Sequence, residues 1–176
     1  MSALCIRFAV ESDMPSVAAI YGEAVRNGTA TFEIDPPGIA EMTARWRRLT
    51  EGGHPWLVAE ADGRVVGYAY AGPFHTRPAY RHTVEDSIYF DAPARNAGHG
   101  TALLTALIAE AEARGFRQMI ATIGDSGNAA SVRLHARCGF RPVGTWRDVG
   151  WKHGRWLDVV LMQRPLGPGA SAPPRG

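Results

Sequence analysis

The segment that most limits the fold runs from Ser87 to Gly115, SIYFDAPARNAGHGTALLTALIAEAEARG. Its first part belongs to a β-rich stretch from Thr83 to Asp91. Its last part carries Leu103, Leu104, Leu107, Ile108 and Ala111 at helical spacing and stops at Gly115, which predicts an amphipathic helix with a glycine end. Arg95-Asn96-Ala97-Gly98-His99-Gly100 lies between them. A helix start has unpaired backbone N–H groups and the positive end of the helix dipole. Glycines there let an anion approach the backbone, so the junction suits a phosphate. Two glycines can equally be plain turn residues. A Walker loop would need Lys where Thr101 stands, and a dinucleotide fingerprint would need a third glycine with an acidic residue about 20 positions on; neither pattern is present.

Around this segment the chain alternates strands and helices. Leu4, Ile6, Phe8 and Val10 alternate with Cys5, Arg7 and Ala9 as in a strand. Ser12, Asp13 and Pro15 open a helix with Val17, Ile20, Tyr21 and Ala24 on one face, ending at Asn27-Gly28. A second helix is predicted from Ile39 to Thr50. Trp56 to Ala61 and Val65 to Ala71 flank Asp62-Gly63, a strong hairpin signal. Met119 to Ile123 reads as a short buried strand and Asn128 to Arg137 as a helix closed by Gly139. Phe140 to Val149 and Trp156 to Met162 read as two final strands. The order implies an α+β fold: a mixed, mostly antiparallel sheet of about seven strands with about four helices, and one strand–helix–strand crossover from 83 to 123. Residues 1–166 make one domain. Residues 167–176, GPGASAPPRG, have no large apolar side chain and are expected to be a disordered tail.

Composition narrows the function classes. The 176 residues carry a net charge of +2, with 19 Lys and Arg against 17 Asp and Glu. No basic stripe suggests nucleic acid. Cys5 and Cys138 stand far apart without the spacing of a metal or redox pair. No apolar window spans a membrane, and the first residues do not resemble a secretion signal, so a cytoplasmic protein without membrane or nucleic-acid partners is expected.

What remains at the glycine loop is RxxGxG between a strand and a helix, which resembles the diphosphate loop of the Gcn5-related N-acetyltransferase (GNAT) superfamily. Asn128 to Phe140, NAASVRLHARCGF, resembles that superfamily's NxxSxxLYxxxGF helix, with His135 in place of the tyrosine. AGPFHTRPAYRHTVEDSIYF, IGDSGNAASVRLH and VGWKHGRWLDVVLMQRPL are similar to the phosphinothricin and methionine sulfone (sulfoximine) N-acetyltransferases. The likeness runs from about Ile6 to Leu166.

This resemblance implies an acetyl-CoA-dependent N-acetyltransferase without a metal. It would act on the α-amino group of a small amino acid with a tetrahedral head group, by direct attack in a ternary complex, and as a homodimer. The backbone of Ile88, Tyr89 and Phe90 would pair with the pantetheine arm, and one of the two aromatic side chains would face the core. Arg95, Asn96, Ala97, Gly98, His99, Gly100 and Thr101 would form the diphosphate loop. Asn128 would lie near the pantetheine, with Ser131 close to it. Glu85 and His135 would be the catalytic groups. Attack needs a neutral amine, and a carboxylate of ordinary pKa about 4.3 is a weak base for it, so Glu85 would be raised by burial or would work through water, the route favoured here. Otherwise Glu85 would simply pair with Arg77 or Arg81. An imidazole near 6.5 can exchange protons at working pH, and whether His135 serves as acid or base stays open. Arg77, flanked by His75, Thr76 and Tyr80, would clamp the acceptor's carboxylate or head group, and Phe32 would wall its methylene chain. Two rivals remain: a peptide or protein N-terminal acetyltransferase with an open groove, and a non-catalytic acetyl-CoA sensor.

Overall fold

The computed structural model describes residues 4–95 and 98–174. Eleven regular elements follow in chain order: β1 (Cys5–Phe8), α1 (Met14–Asn27), α2 (Ile39–Glu51), β2 (Trp56–Ala61), β3 (Arg64–Pro73), β4 (Thr83–Phe90), α3 (His99–Ala113), β5 (Gln118–Gly124), α4 (Ala129–Arg137), β6 (Arg141–Lys152) and β7 (Arg155–Pro165). The strands form one sheet in the order β1-β2-β3-β4-β5-β7-β6. All neighbours are antiparallel except β4 and β5, which are parallel and joined through α3. The expected sheet, its four helices and its crossover are all present.

Alternation on the strands builds two cores. Leu57 and Ala59 of β2 face a core filled by Leu103, Leu104, Leu107, Ile108 and Ala111 of α3. Trp56 and Val58 face the opposite way, onto Met14, Val17, Ile20 and Tyr21 of α1 and Met42 of α2. Period two supplies both faces from one short strand. The β2–β3 register slips between Ala59 and Glu60, leaving Val66 without a partner. This bulge lets Val65 and Tyr68 pack on the α1 side while Val66 packs on the α3 side.

The predicted stops have physical causes. Gly115 and Gly139 take φ of +83° and +84°. After α4 the Gly139 N–H bonds the Ala136 carbonyl and the Phe140 N–H that of His135, the paired bonds of a Schellman end. Asp62-Gly63 and His153-Gly154 all have positive φ, as a tight hairpin turn of matching twist requires. The final hairpin is longer than expected, because β6 continues past Val149 to Lys152 through a register shift between Trp146 and Gly150.

The end of the described chain makes its own contacts. Through Pro174, the stretch expected to be disordered folds back in turns, with Arg117 donating to the carbonyls of Gly169, Ala172 and Pro173 and the Gly167 N–H bonding Glu112. Composition counts apolar side chains and is blind to one arginine pairing three main-chain carbonyls.

A charged cluster ties β1 to the start of α1. Arg7 reaches both oxygens of Asp13 at 2.7 and 2.9 Å and also Glu60 at 3.0 Å, while Asp13 accepts the Val10 N–H at 2.9 Å. The Arg7 bond holds the Asp13 carboxyl below the usual carboxylate range against the opposing effect of burial. A depressed carboxylate stabilises the fold above its unfolded pKa, and that contribution is lost as pH falls through the folded value. Asp13→Asn should therefore cost about 1–3 kcal/mol at neutral pH. In thermal unfolding, the gap from wild type should close as pH falls below about 4.

Candidate active site

β4 and β5 pair only from Thr83↔Gln118 to Asp86↔Ala121. Beyond that point β4 stays on β3 as far as Phe90↔Gly67, and β5 stays on β7 as far as Gly124↔Val159. The two parallel strands are thus drawn apart by their outer partners. A cavity of about 270 Å³ opens in the gap, lined from β4 by Glu85, Asp86, Ser87, Ile88 and Tyr89. Thr122 and Gly124 close it from β5, Asn128, Ser131 and His135 from α4, and Thr31 and Phe32 from the loop after α1.

The cavity passes through the sheet. Val84 and Ile88 pack on the α3 core, and Asp86, of the same parity, meets His135 of α4. Tyr89 packs on the α1 core, so Glu85 and Ser87 share that side. Glu85 and His135 therefore serve one cavity from opposite faces. Burial pushes the Glu85 carboxyl above its ordinary value; a Thr122 hydrogen bond opposes the rise, the Asp86 charge adds to it and the nearby His75 reduces it.

Seven of the expected site residues meet here: Phe32, Glu85, Ile88, Tyr89, Asn128, Ser131 and His135. Asn128 caps α4, its Oδ1 accepting the Ser131 N–H at 3.2 Å. Of the two alternating aromatics, Tyr89 meets Tyr21 edge-on at 5.1 Å on the α1 side. Phe90 packs on the α3 core and covers Gly67, where an added Cβ would lie 2.4 Å from its ring.

The glycine loop stands at the start of α3, beyond the residues lining the cavity. Gly98 has φ +82°, and nothing lies within 4 Å of an added Cβ, which leaves open space beside the free N–H groups of the helix start. An anion can approach the main chain there. Gly100 has a packing role as well, because a Cβ would come within 3.3 Å of Leu134. His99 and Thr101 are half-buried on the first turn of the helix. Arg95 binds the Phe90 carbonyl and Glu23 rather than pointing into the gap. Asn96 and Ala97 lie outside the described residues.

His75, Thr76, Arg77 and Tyr80 do not line the cavity. They sit exposed on the loop from β3 to β4, with the His75 and Tyr80 rings 5.0 Å apart. Register places the start of this loop beside Glu85, which pairs with Gly72. Among the described residues no group of three or more His, Cys, Asp or Glu could hold a metal ion.

Sequence reasoning missed Asp86 and Lys152. Asp86 follows Glu85, and strand alternation sends it to the other face, away from the expected site. Lys152 is 4% exposed and donates to the Thr31 carbonyl at 2.8 Å, with desolvation lowering its pKa. This bond holds the loop that carries Phe32. Tyr21 bonds the Thr31 hydroxyl at 2.8 Å, and Thr29 bonds Asp125 at the same distance. The Phe32 ring fits against two glycines: a Cβ on Gly150 would lie 2.2 Å from it and one on Gly124 3.1 Å. No sequence signal marks these notches, because both partners are remote in the chain.

The sheet is parted between β4 and β5, with a helix start suited to an anion on one side of the gap and a raised carboxylate on the other. Residues 18–140 match the model of the acetyltransferase (GNAT) family, and the chain belongs to that family. GNAT acetyltransferases use acetyl-CoA. The chain is 49% identical over 172 residues to the phosphinothricin N-acetyltransferase of Alcaligenes faecalis, covering 98% of this chain and 87% of that protein. It is 44% identical to the L-methionine sulfoximine/L-methionine sulfone acetyltransferase of Pseudomonas aeruginosa, covering 96% and 98%. Its fold matches the crystal structure of a phosphinothricin acetyltransferase from Sinorhizobium meliloti in complex with AcCoA, with TM-score 0.95 and 47% identity over 98% of this chain and 93% of that one.

Gly150→Ala tests the Phe32 notch. Displacing the ring should cost about 1–3 kcal/mol in thermal unfolding. It should also raise KM for the amine acceptor and leave acetyl-CoA binding unchanged, because the donor side of the cavity is untouched.

Proposed function

We propose that this protein acetylates the α-amino group of a small amino acid whose side chain ends in a tetrahedral oxyanion-like group, of the kind named for its relatives: phosphinothricin, methionine sulfone or methionine sulfoximine. The observation that carries the reading is the cavity crossing the sheet, with Glu85 on the Phe32 side and the backbone of Ile88, Tyr89 and Phe90 along the gap. A short, walled cavity suits a free amino acid better than a peptide chain.

Acetyl-CoA supplies an acetyl group already activated as a thioester. The protein's part is to hold donor and acceptor together and to keep the amine unprotonated. The free edge of β4 past Asp86 offers main-chain groups to the pantetheine amides, and the start of α3 with its glycines faces the diphosphate. On the other side Phe32 bounds the acceptor's methylene chain. Glu85, raised by burial, takes the amine proton, directly or through one water. Activity should therefore decline as pH falls through the raised Glu85 pKa, above the ordinary value of about 4.3. Arg77 on the adjoining exposed loop supplies a cation for the acceptor's carboxylate or head group. Direct transfer is favoured over an acetyl-enzyme, since Cys5 is exposed on β1 and Cys138 is buried with its thiol pushed up by burial.

The homodimer reading is supported by the edge strand β6 and its hairpin, where Trp146, Val149, Trp151 and Trp156 are each more than half exposed. Such an apolar edge suits a second copy of the chain, and sedimentation equilibrium separates the 19.0 kDa chain from its dimer. The two cysteines, neither in a disulfide, agree with a cytoplasmic location.

The decisive assay is CoA release with phosphinothricin, methionine sulfone, methionine sulfoximine, glutamate, methionine and short peptides as acceptors. Turnover is expected with the tetrahedral-headed amino acids; turnover with peptides alone would overturn the reading, and none with any acceptor would favour a sensor. Glu85→Gln should lower kcat about 100-fold or more with acetyl-CoA binding retained. Arg77→Ala should raise acceptor KM by about tenfold or more at little change in kcat.

A further inference from the structure

His135 is 3% exposed, and both its ring nitrogens are engaged within the protein. Nδ1 lies 2.8 Å from the main-chain oxygen of Ser131, one turn earlier on α4. A carbonyl oxygen only accepts, so Nδ1 carries a hydrogen. The Ser131 hydroxyl stands 3.3 Å from the same nitrogen. Nε2 lies 3.0 Å from Oδ2 of Asp86, whose side chain is 1% exposed. With the hydrogen fixed on Nδ1, a neutral ring would point the Nε2 lone pair at a carboxylate oxygen. The contact needs one more proton, on Nε2 or on Asp86.

Ordinary affinities favour the ring as its carrier, because a free imidazole near about 6.5 holds a proton far more tightly than a free aspartate near about 3.9. Asp86 Oδ1 is buried and has no hydrogen-bond partner among the described residues, so an ionised Asp86 depends on its bond to His135 for compensation. Burial alone pulls the imidazole pKa down; the Asp86 hydrogen bond and charge and the Ser131 carbonyl act the other way, and the net direction is upward. The other groups around the pair are few. Glu85 is the neighbour of Asp86 on β4, and the Cys138 thiol at the end of α4 feels the Asp86 charge. Arg164 of β7 is bonded to the Cys138 carbonyl, and the Phe140 ring meets His135 edge-on at 5.0 Å.

We propose that Asp86 is a positioning residue for acetyl transfer, holding His135 protonated on both nitrogens so that the ring is a fixed positive charge on the α4 wall of the cavity and takes no part in removing the amine proton. This rests on the acetyltransferase reading and divides the labour between two faces of the sheet. Glu85 receives the proton on the Phe32 side. The His135 imidazolium, its two N–H groups already donated to Asp86 and Ser131, forms with Asp86 a buried ion pair whose positive end lies on the α4 wall of a cavity whose reaction releases a thiolate. Asp86 also sits next to Glu85, and its charge raises the proton affinity of that carboxylate.

The test is nitrogen NMR of histidine-labelled protein, with and without acetyl-CoA, from pH about 6 to about 8, across the ordinary histidine value near 6.5. Both His135 nitrogens are expected to give imidazolium shifts over that range, and a neutral ring at pH 7 would overturn the proposal. This spectrum requires neither a substitution nor turnover, so it is read independently of the acceptor assay. In Asp86→Asn, His135 should become neutral within the same range, and kcat should fall at least about tenfold with acceptor KM unchanged. Asp86→Glu should restore part of both signatures. An Asp86→Asn protein that folds and keeps wild-type kcat and spectrum would also overturn the assignment.

Discussion

Everything functional in this molecule depends on two parallel strands that stop pairing after four residues. Parallel strands buried on both faces ordinarily run together, because each unpaired main-chain group in the interior costs free energy. Here β4 and β5 part after Asp86 and Ala121, since β3 and β7 hold their outer edges to the end. The main-chain groups facing the gap can then be satisfied by something outside the chain. The same parting lets residues of opposite parity, Glu85 and Asp86, reach one cavity from opposite faces.

The supports of the gap are of different physical kinds. On the α3 side the helix packs with Leu103, Leu104 and Leu107 fully buried, and its start is fixed by packing rather than by a side-chain cap. On the Phe32 side the supports are polar: Lys152 to the Thr31 carbonyl, Thr29 to Asp125, Tyr21 to Thr31. One side is held by apolar burial, which is non-directional. The other is held by hydrogen bonds that fix one loop to α1, to Asp125 after β5 and, across 121 residues, to the final hairpin.

This difference explains how much was legible in the sequence. Period two in β2, helical spacing in α3 and the glycine ends at Gly115 and Gly139 are local signals, and they place the elements to within a few residues. The glycine loop and the NxxS helix are likewise contiguous, and through resemblance they point to the donor side. Asp86 was hidden because alternation implies that neighbours on a strand do not share a site, a rule that fails where a cavity crosses the sheet. Lys152 and the notches at Gly124 and Gly150 were hidden because their meaning lies in a loop far away in sequence. The contacts of Arg117 with the carbonyls of Gly169, Ala172 and Pro173 leave no trace in composition, which does not count main-chain groups.

The seat of Phe32 has a mechanical consequence. Its ring occupies room left by side chains that Gly124 and Gly150 lack, and the loop that carries it is tethered through main-chain oxygen and neighbouring hydroxyls rather than through the ring itself. The ring is thus wedged against β5 and β6 while its loop is tied to the same β6 through Lys152, so a shift of the β6–β7 hairpin moves ring and loop together.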